Sequence, residues 1–190
     1  MSREGWVFQA CSPRQLGSAS ASLAEDDVMP RSKIIVIGIG NPYRRDDAAG
    51  LLAARRLQEQ ANSSCEVHEQ VGEGTALMEL WKGAQRVVVI DAVQSGAVPG
   101  TIHRFQANLD PLPAPIFRDS THAFGLIEAI ELSRALHQLP SSLVIYGIEG
   151  ESFAAGTGPS WAVLNGINDL VRDLRQEIDQ APSEQPTTPE

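Results

Sequence analysis

Three side chains in this 190-residue sequence combine chemically capable types with suggestive settings: Asp47, Asp91 and His122. Asp47 follows an apolar run and a turn-forming stretch. Asp91 comes directly after the apolar run Arg86 to Ile90, and His122 follows a proline-rich segment and opens a helical pattern. Two carboxylates and one imidazole make a mixed oxygen and nitrogen donor set. Such a set can hold a divalent transition metal, with geometry and availability deciding which. Three protein ligands also leave coordination positions open for water or a substrate group. Each residue alone has a plainer reading. Asp46 and Asp47 suit the start of a helix, where carboxylates bond free amides and favour the dipole. Asp91 can be a solvated residue at a strand end, and His122 a loop or capping residue. His68, His103 and His137 have no comparable setting, and no role is assigned to them.

Other chemistries lack their residues. Gly38-Ile39-Gly40 after an apolar run looks like the opening of a dinucleotide fingerprint, but Tyr43 stands where the third glycine belongs and Asn41-Pro42 interrupts the turn. The sequence holds no Gly-x-Ser-x-Gly elbow, no His-Glu-x-x-His pair and no Gly-Lys-Ser/Thr phosphate loop. Cys65 falls inside an expected strand with no evident histidine partner.

The elements that must position the three residues alternate between strand and helix. Lys33 to Gly38 is a short β-branched run, as expected of a strand buried on both faces. Asp46 to Ala61 reads as a helix with an apolar stripe at Leu51, Leu52 and Leu57, and Cys65 to Val71 as a weaker strand. Thr75 caps a short helix running through Trp81. Arg86 to Ile90 is a second buried strand, ending at Asp91. Thr101 to Phe105, after a Pro-Gly turn, is an antiparallel or edge strand. Pro111, Pro113 and Pro115 make Asn108 to Asp119 a loop. Ala123 to His137 reads as a helix with Leu126, Ile127, Ile130 and Leu132 on one side. Ser142 to Ile148 is a third clear strand, and Pro159 sits in the first turn of a last amphipathic helix carrying Leu164, Ile167, Leu170, Val171, Leu174 and Ile178. This alternation predicts an α/β domain with a mostly parallel sheet covered on both faces. In such sheets ligands gather beyond the carboxyl ends of the strands, which is where the loop after Gly38, the residue after Ile90 and the loop after Ile148 fall.

A hydrophobic share of 42% supplies one sizeable core. The net charge of −9 argues against a nucleic-acid partner, since backbone binding needs basic surface. No apolar run reaches the ~20 residues that span a bilayer. Cys11 and Cys65 form neither a disulfide framework nor a zinc motif, which fits a reducing cytosol. Residues 1–32 and the Pro-rich residues 180–190 are expected to be disordered around a single domain at 33–179, with Met29 as a possible true start.

The ordered motifs resemble those of the nickel-iron hydrogenase maturation endopeptidases. The resemblance rests on Gly38-Ile39-Gly40-Asn41 followed at fixed distance by Asp46-Asp47, on Val89-Ile90-Asp91-Ala92 with Pro99-Gly100-Thr101 after it, on Ser120-Thr121-His122-Ala123-Phe124-Gly125-Leu126, and on Tyr146-Gly147-Ile148-Glu149. It implies a single three-layer domain, a five-stranded twisted sheet, mostly parallel with one antiparallel strand, between helices. It implies Asp47, Asp91 and His122 as metal ligands, and cleavage of a C-terminal peptide from the hydrogenase large-subunit precursor after nickel insertion. The resemblance further implies that the nickel is supplied by the substrate and serves as the mark that is recognised. Asp46 or Glu73 is the expected general base. The chain is expected to act as a cytoplasmic monomer, with no membrane partner. Two departures stand out: Glu73 replaces a small residue in Gly72-Glu73-Gly74-Thr75, and Asp47 is one methylene shorter than the glutamate many members carry. The rival reading is an escort that senses nickel and binds the large subunit without cutting it; a nucleotide-binding oxidoreductase ranks third.

Overall fold

The computed structural model describes residues 34–60, 65–113, 116 and 123–180. His122, Met29 and the end segments expected to be disordered lie outside the described residues, except that Gln180 is the last residue of the final helix. The elements run β1 (Ile34–Ile39), a 3-10 turn (Arg45–Ala48), α1 (Ala49–Gln60), β2 (Cys65–Gln70), α2 (Gly74–Trp81), β3 (Arg86–Val93), β4 (Ile102–Gln106), α3 (Ala123–Ala135), β5 (Ser142–Glu149) and α4 (Trp161–Gln180).

One sheet of order β2-β1-β3-β5-β4 carries them, with every neighbouring pair parallel except β4 against β5. The expected five-stranded, mostly parallel sheet with one antiparallel strand is borne out. The reason is in the side chains. β1, β3 and β5 are apolar runs buried on both faces, so each needs a strand on either side and a helix above and below. Polar residues mark the two edges, β2 and β4.

Alternation along the strands divides the core in two. Ile34, Val36, Val88, Ile90, Val144, Tyr146 and Ile148 face α1 and α4. Ile37, Ile39, Val87, Val89, Val93, Leu143 and Ile145 face α2 and α3. On α4 the buried residues Val163, Ile167, Leu170, Val171, Leu174 and Ile178 recur at three and four, the stripe the sequence predicted except that Val163 takes the buried place expected of Leu164, which is partly buried.

Five local expectations are corrected. β3 does not end at Asp91 but continues to Val93, because its ladder with β5 runs on to Val93 opposite Glu149. The helix expected from Asp46 starts as a 3-10 turn, closed by the Asp47 amide bonding the Arg44 carbonyl at 2.9 Å, and is α-helical only from Ala49. Leu132 is exposed; Ser133 takes the buried position on α3, and its hydroxyl accepts a bond from Trp81 Nε1 at 3.2 Å. Pro159 precedes α4 rather than opening it, since the Ser160 carbonyl already accepts the Leu164 amide at 2.9 Å. Thr75 is likewise inside α2; Glu73 is the capping residue.

Candidate active site

The chain leaves β1 for β2 on one side and returns to β3 on the other. Connections therefore diverge at the β1–β3 boundary, and in sheets of this kind the ligand crevice lies there, at the carboxyl ends of the strands. Gly38 opposite Ile90 is the last pair in the β1–β3 register. Asp91 is the next residue of β3, and Asp47 sits in the 3-10 turn that packs on β3. Both are fully buried. Gly50 explains how the turn can come so low: a Cβ there would lie 2.2 Å from the carbonyl oxygens of both Ile39 and Ile90. Only glycine lets α1 begin directly on the crevice.

Asp47 Oδ2 has the Arg44 guanidinium at 3.6 Å, and Arg44 Nε also donates to the Phe153 carbonyl at 3.1 Å. Asp91 Oδ1 accepts the amide of its own neighbour, Ala92, at 2.8 Å. Strand alternation puts Asp91 on the face shared with Val89 and Val93, the face covered by α2 and α3. α3 begins one residue after His122. Its first turn is docked against the loop after β2, since a Cβ at Gly125 would fall 2.0 Å from the Gly72 carbonyl oxygen. Among the described residues no cluster of three or more metal-capable side chains is found, and the third expected ligand is the histidine outside them. What the crevice does contain fits a hard or borderline divalent cation: buried carboxylate oxygens on two rigid elements.

Asp46 and Glu73, the two expected bases, differ sharply. Asp46 is fully buried. Its Oδ2 accepts the amides of Glu151 and Ser152 at 2.8 Å each, and its Oδ1 accepts the amide of Ser160 at 2.5 Å. Its own amide donates to the Ser152 carbonyl at 3.1 Å. The carboxylate thus holds the whole β5–α4 loop against the β1–α1 turn and sits at the approach to the α4 N-terminus, where negative charge is favoured. Glu73 is exposed at the start of α2, and its carboxylate accepts the Thr75 hydroxyl.

Sequence reasoning missed one buried acid. Glu149, 1% exposed at the end of β5, accepts the amides of Ser95 and Gly96 at 2.8 Å each, the amide of Ala97 at 3.2 Å and the Ser95 hydroxyl at 2.7 Å. His103, to which no role was assigned, adds a contact at 3.2 Å. Burial pushes the Glu149 carboxyl up. The bonds from the Ser95 hydroxyl, the Gly96 and Ser95 amides and His103 outweigh that and hold it below its ordinary 4.5. A glutamate closing an otherwise apolar strand, before a glycine, was the available signal.

Residues 53–177 match the family described as hydrogenase maturation protease. The chain belongs to that family. The resemblance drawn from its motifs is borne out, and the matched residues include Asp91 and the position of His122, whereas Asp47 lies upstream of them. The chain is 29% identical over 119 residues to the hydrogenase expression/formation protein HupD of Thiocapsa roseopersicina, covering 62% of this chain and 54% of that protein. It therefore spans about half the length of that relative. A nickel-iron hydrogenase maturation protease, HycI from Thermococcus kodakarensis, is 26% identical with a TM-score of 0.61, over 84% of this chain and all of that one. The hydrogenase maturating endopeptidase HybD from E. coli shares the fold, with a TM-score of 0.67 at 22% identity, over 78% of this chain and 93% of that one. Among the described residues no helix is long and apolar enough to cross a membrane.

Proposed function

We propose that this chain is an endopeptidase acting as a cytoplasmic monomer, which removes a C-terminal peptide from a nickel-iron hydrogenase large-subunit precursor once nickel has been inserted. The observation that supports the reading is that two carboxylates, Asp47 in the turn after β1 and Asp91 on β3, are fully buried in a maturation-protease fold. Buried acids on two rigid elements suit a cation that arrives with the substrate. In this reading Asp47, Asp91 and His122 contact the nickel the precursor carries.

The nickel would supply Lewis acidity toward a nearby carbonyl. The remaining work belongs to the protein. Asp91, on the central strand, gives a fixed donor. Asp47 is held beside the Arg44 guanidinium, a long side chain that can move aside as a cation enters. Glu73 is the acid open to solvent and so the group that can take a proton from an attacking water. Asp46 keeps the base role only if it surrenders amide bonds, so the reading gives it to Glu73.

Incubating the purified chain with nickel-loaded and nickel-free precursor, and weighing the large subunit, tests this. A defined C-terminal mass loss with the loaded precursor alone is expected. Tight nickel-dependent binding with no mass change would replace the endopeptidase with a non-cutting escort.

A further inference from the structure

Arg45 is held in the left-handed region, at φ +43°, where a residue with a Cβ is strained. Such strain persists only where surrounding structure over-determines the backbone, and it clusters at functional positions. Here the over-determination is visible. The Arg45 amide donates to the Gly156 carbonyl at 3.1 Å, the next residue is the Asp46 clasp, and the Gly156 amide donates to the Tyr43 carbonyl at 2.9 Å. The side chain is laid along Gly156 closely enough that a Cβ there would meet Arg45 Nε at 3.1 Å and Cγ at 3.2 Å.

This strained position displays an exposed cation two residues from Asp47. Arg44 is engaged with Asp47 and the Phe153 carbonyl, whereas no ion pair or hydrogen bond of the Arg45 guanidinium is found among the described residues. The chain as a whole has 24 acidic against 15 basic residues, so an undischarged arginine at the crevice rim runs against its general charge. Two large exposed aromatics stand next to the clasped residues in sequence, one in the turn after β1 and one at the first residue of α4. Tyr43 is 74% exposed, and Trp161, 77% exposed, follows the Ser160 whose amide Asp46 holds. Arginine, tyrosine and tryptophan are the residues that dominate binding energy at protein interfaces.

We propose that Arg45, together with Tyr43 two residues before it and Trp161 at the start of α4, forms a docking rim that reads a carboxylate on the polypeptide substrate beside the scissile region. A planar guanidinium matches a carboxylate in bidentate fashion. The aromatics cover the apolar part of the same segment. The inference rests on the proposed processing activity but concerns which precursors are accepted, not whether they are cut.

Arg45→Gly separates the two properties of the position, because glycine relieves the strain while removing the cation. The variant should melt about 2–4 °C higher than the wild type. Its KM for nickel-loaded precursor should rise about tenfold, with the loss confined to KM and the salt dependence of KM largely gone. Arg45→Lys should keep the salt dependence with an intermediate KM. Among precursor acids changed one at a time to amides, one should raise KM in the wild type and add nothing in Arg45→Gly. Wild-type KM and salt dependence in Arg45→Gly would overturn the proposal. If the wild type leaves the precursor uncut, the activity reading fails instead. Precursor affinity by fluorescence anisotropy then decides the rim: weaker binding by Arg45→Gly supports it, and equal Kd values reject it.

Discussion

Among the described residues four acids are buried toward the carboxyl end of this sheet, and they fall into two pairs. Asp46 and Glu149 are wrapped by amides from remote parts of the chain: residues 105 to 114 positions away for Asp46, and 52 to 54 away for Glu149. Asp47 and Asp91 are buried as completely, but their environments differ. One has the Arg44 guanidinium at 3.6 Å, and the other bonds the amide of its immediate neighbour. A carboxylate tied to the backbone of a remote loop cannot change partners without loosening that loop. A carboxylate beside a long cationic side chain can exchange it for another cation. The same chemical group at the same end of the fold thus clasps remote loops in one pair, whereas for the other pair the proposed function assigns it substrate chemistry.

The comparison breaks first, if it is wrong, at the second pair. Asp91→Asn should melt like the wild type yet lose more than about a hundredfold in processing rate, since metal-ligand sets tolerate even outer changes poorly. Wild-type turnover by Asp91→Asn would make it an ordinary buried strand residue. The next largest effect is on stability. Glu149→Gln should destabilise the fold by about 2–3 kcal/mol, measured by urea unfolding at pH 7, because several bonds to a charged acceptor weaken together. The sign with pH follows from the depressed carboxyl. Its contribution is complete above the ordinary 4.5 and disappears as pH falls through the lower folded value, so the gap between variant and wild type should close in acid. Asp46→Asn should cost about 1–2 kcal/mol and speed hydrogen exchange at Glu151, Ser152 and Ser160, as an amide nitrogen replaces one acceptor oxygen. The smallest effect belongs to an acid outside both pairs. Glu69 makes a short, bidentate contact to Arg55, at 2.6 and 2.8 Å, but both are exposed. Glu69→Gln should shift stability by less than about 1 kcal/mol.

The sequence disclosed the frame because strands buried on both faces must be nearly continuous apolar runs, and β1, β3 and β5 are. The Pro-Gly turn marked β4 for the same reason of local chemistry. Asp47 and Asp91 stood out in the sequence because one follows the turn after β1 and the other interrupts the apolar run of β3. The division of labour among the acids was not. Asp46 looked like a cap for its own helix, and nothing local says that its partners lie beyond β5. Glu149 looked like part of a motif, although the loop it holds follows β3. Ser133 outcompeted Leu132 for the interior because Trp81 offers an indole N–H there. Tertiary partners decide such cases, and periodicity carries no record of them.

The most direct test sets the neighbouring roles against each other: processing of nickel-loaded precursor by Asp91→Asn and Asp46→Asn, followed by mass and normalised to folded protein. The account predicts that Asp91→Asn is silent while Asp46→Asn keeps most of the wild-type turnover. An active Asp91→Asn beside a silent, fully folded Asp46→Asn would contradict it and make the clasped acid the chemical one.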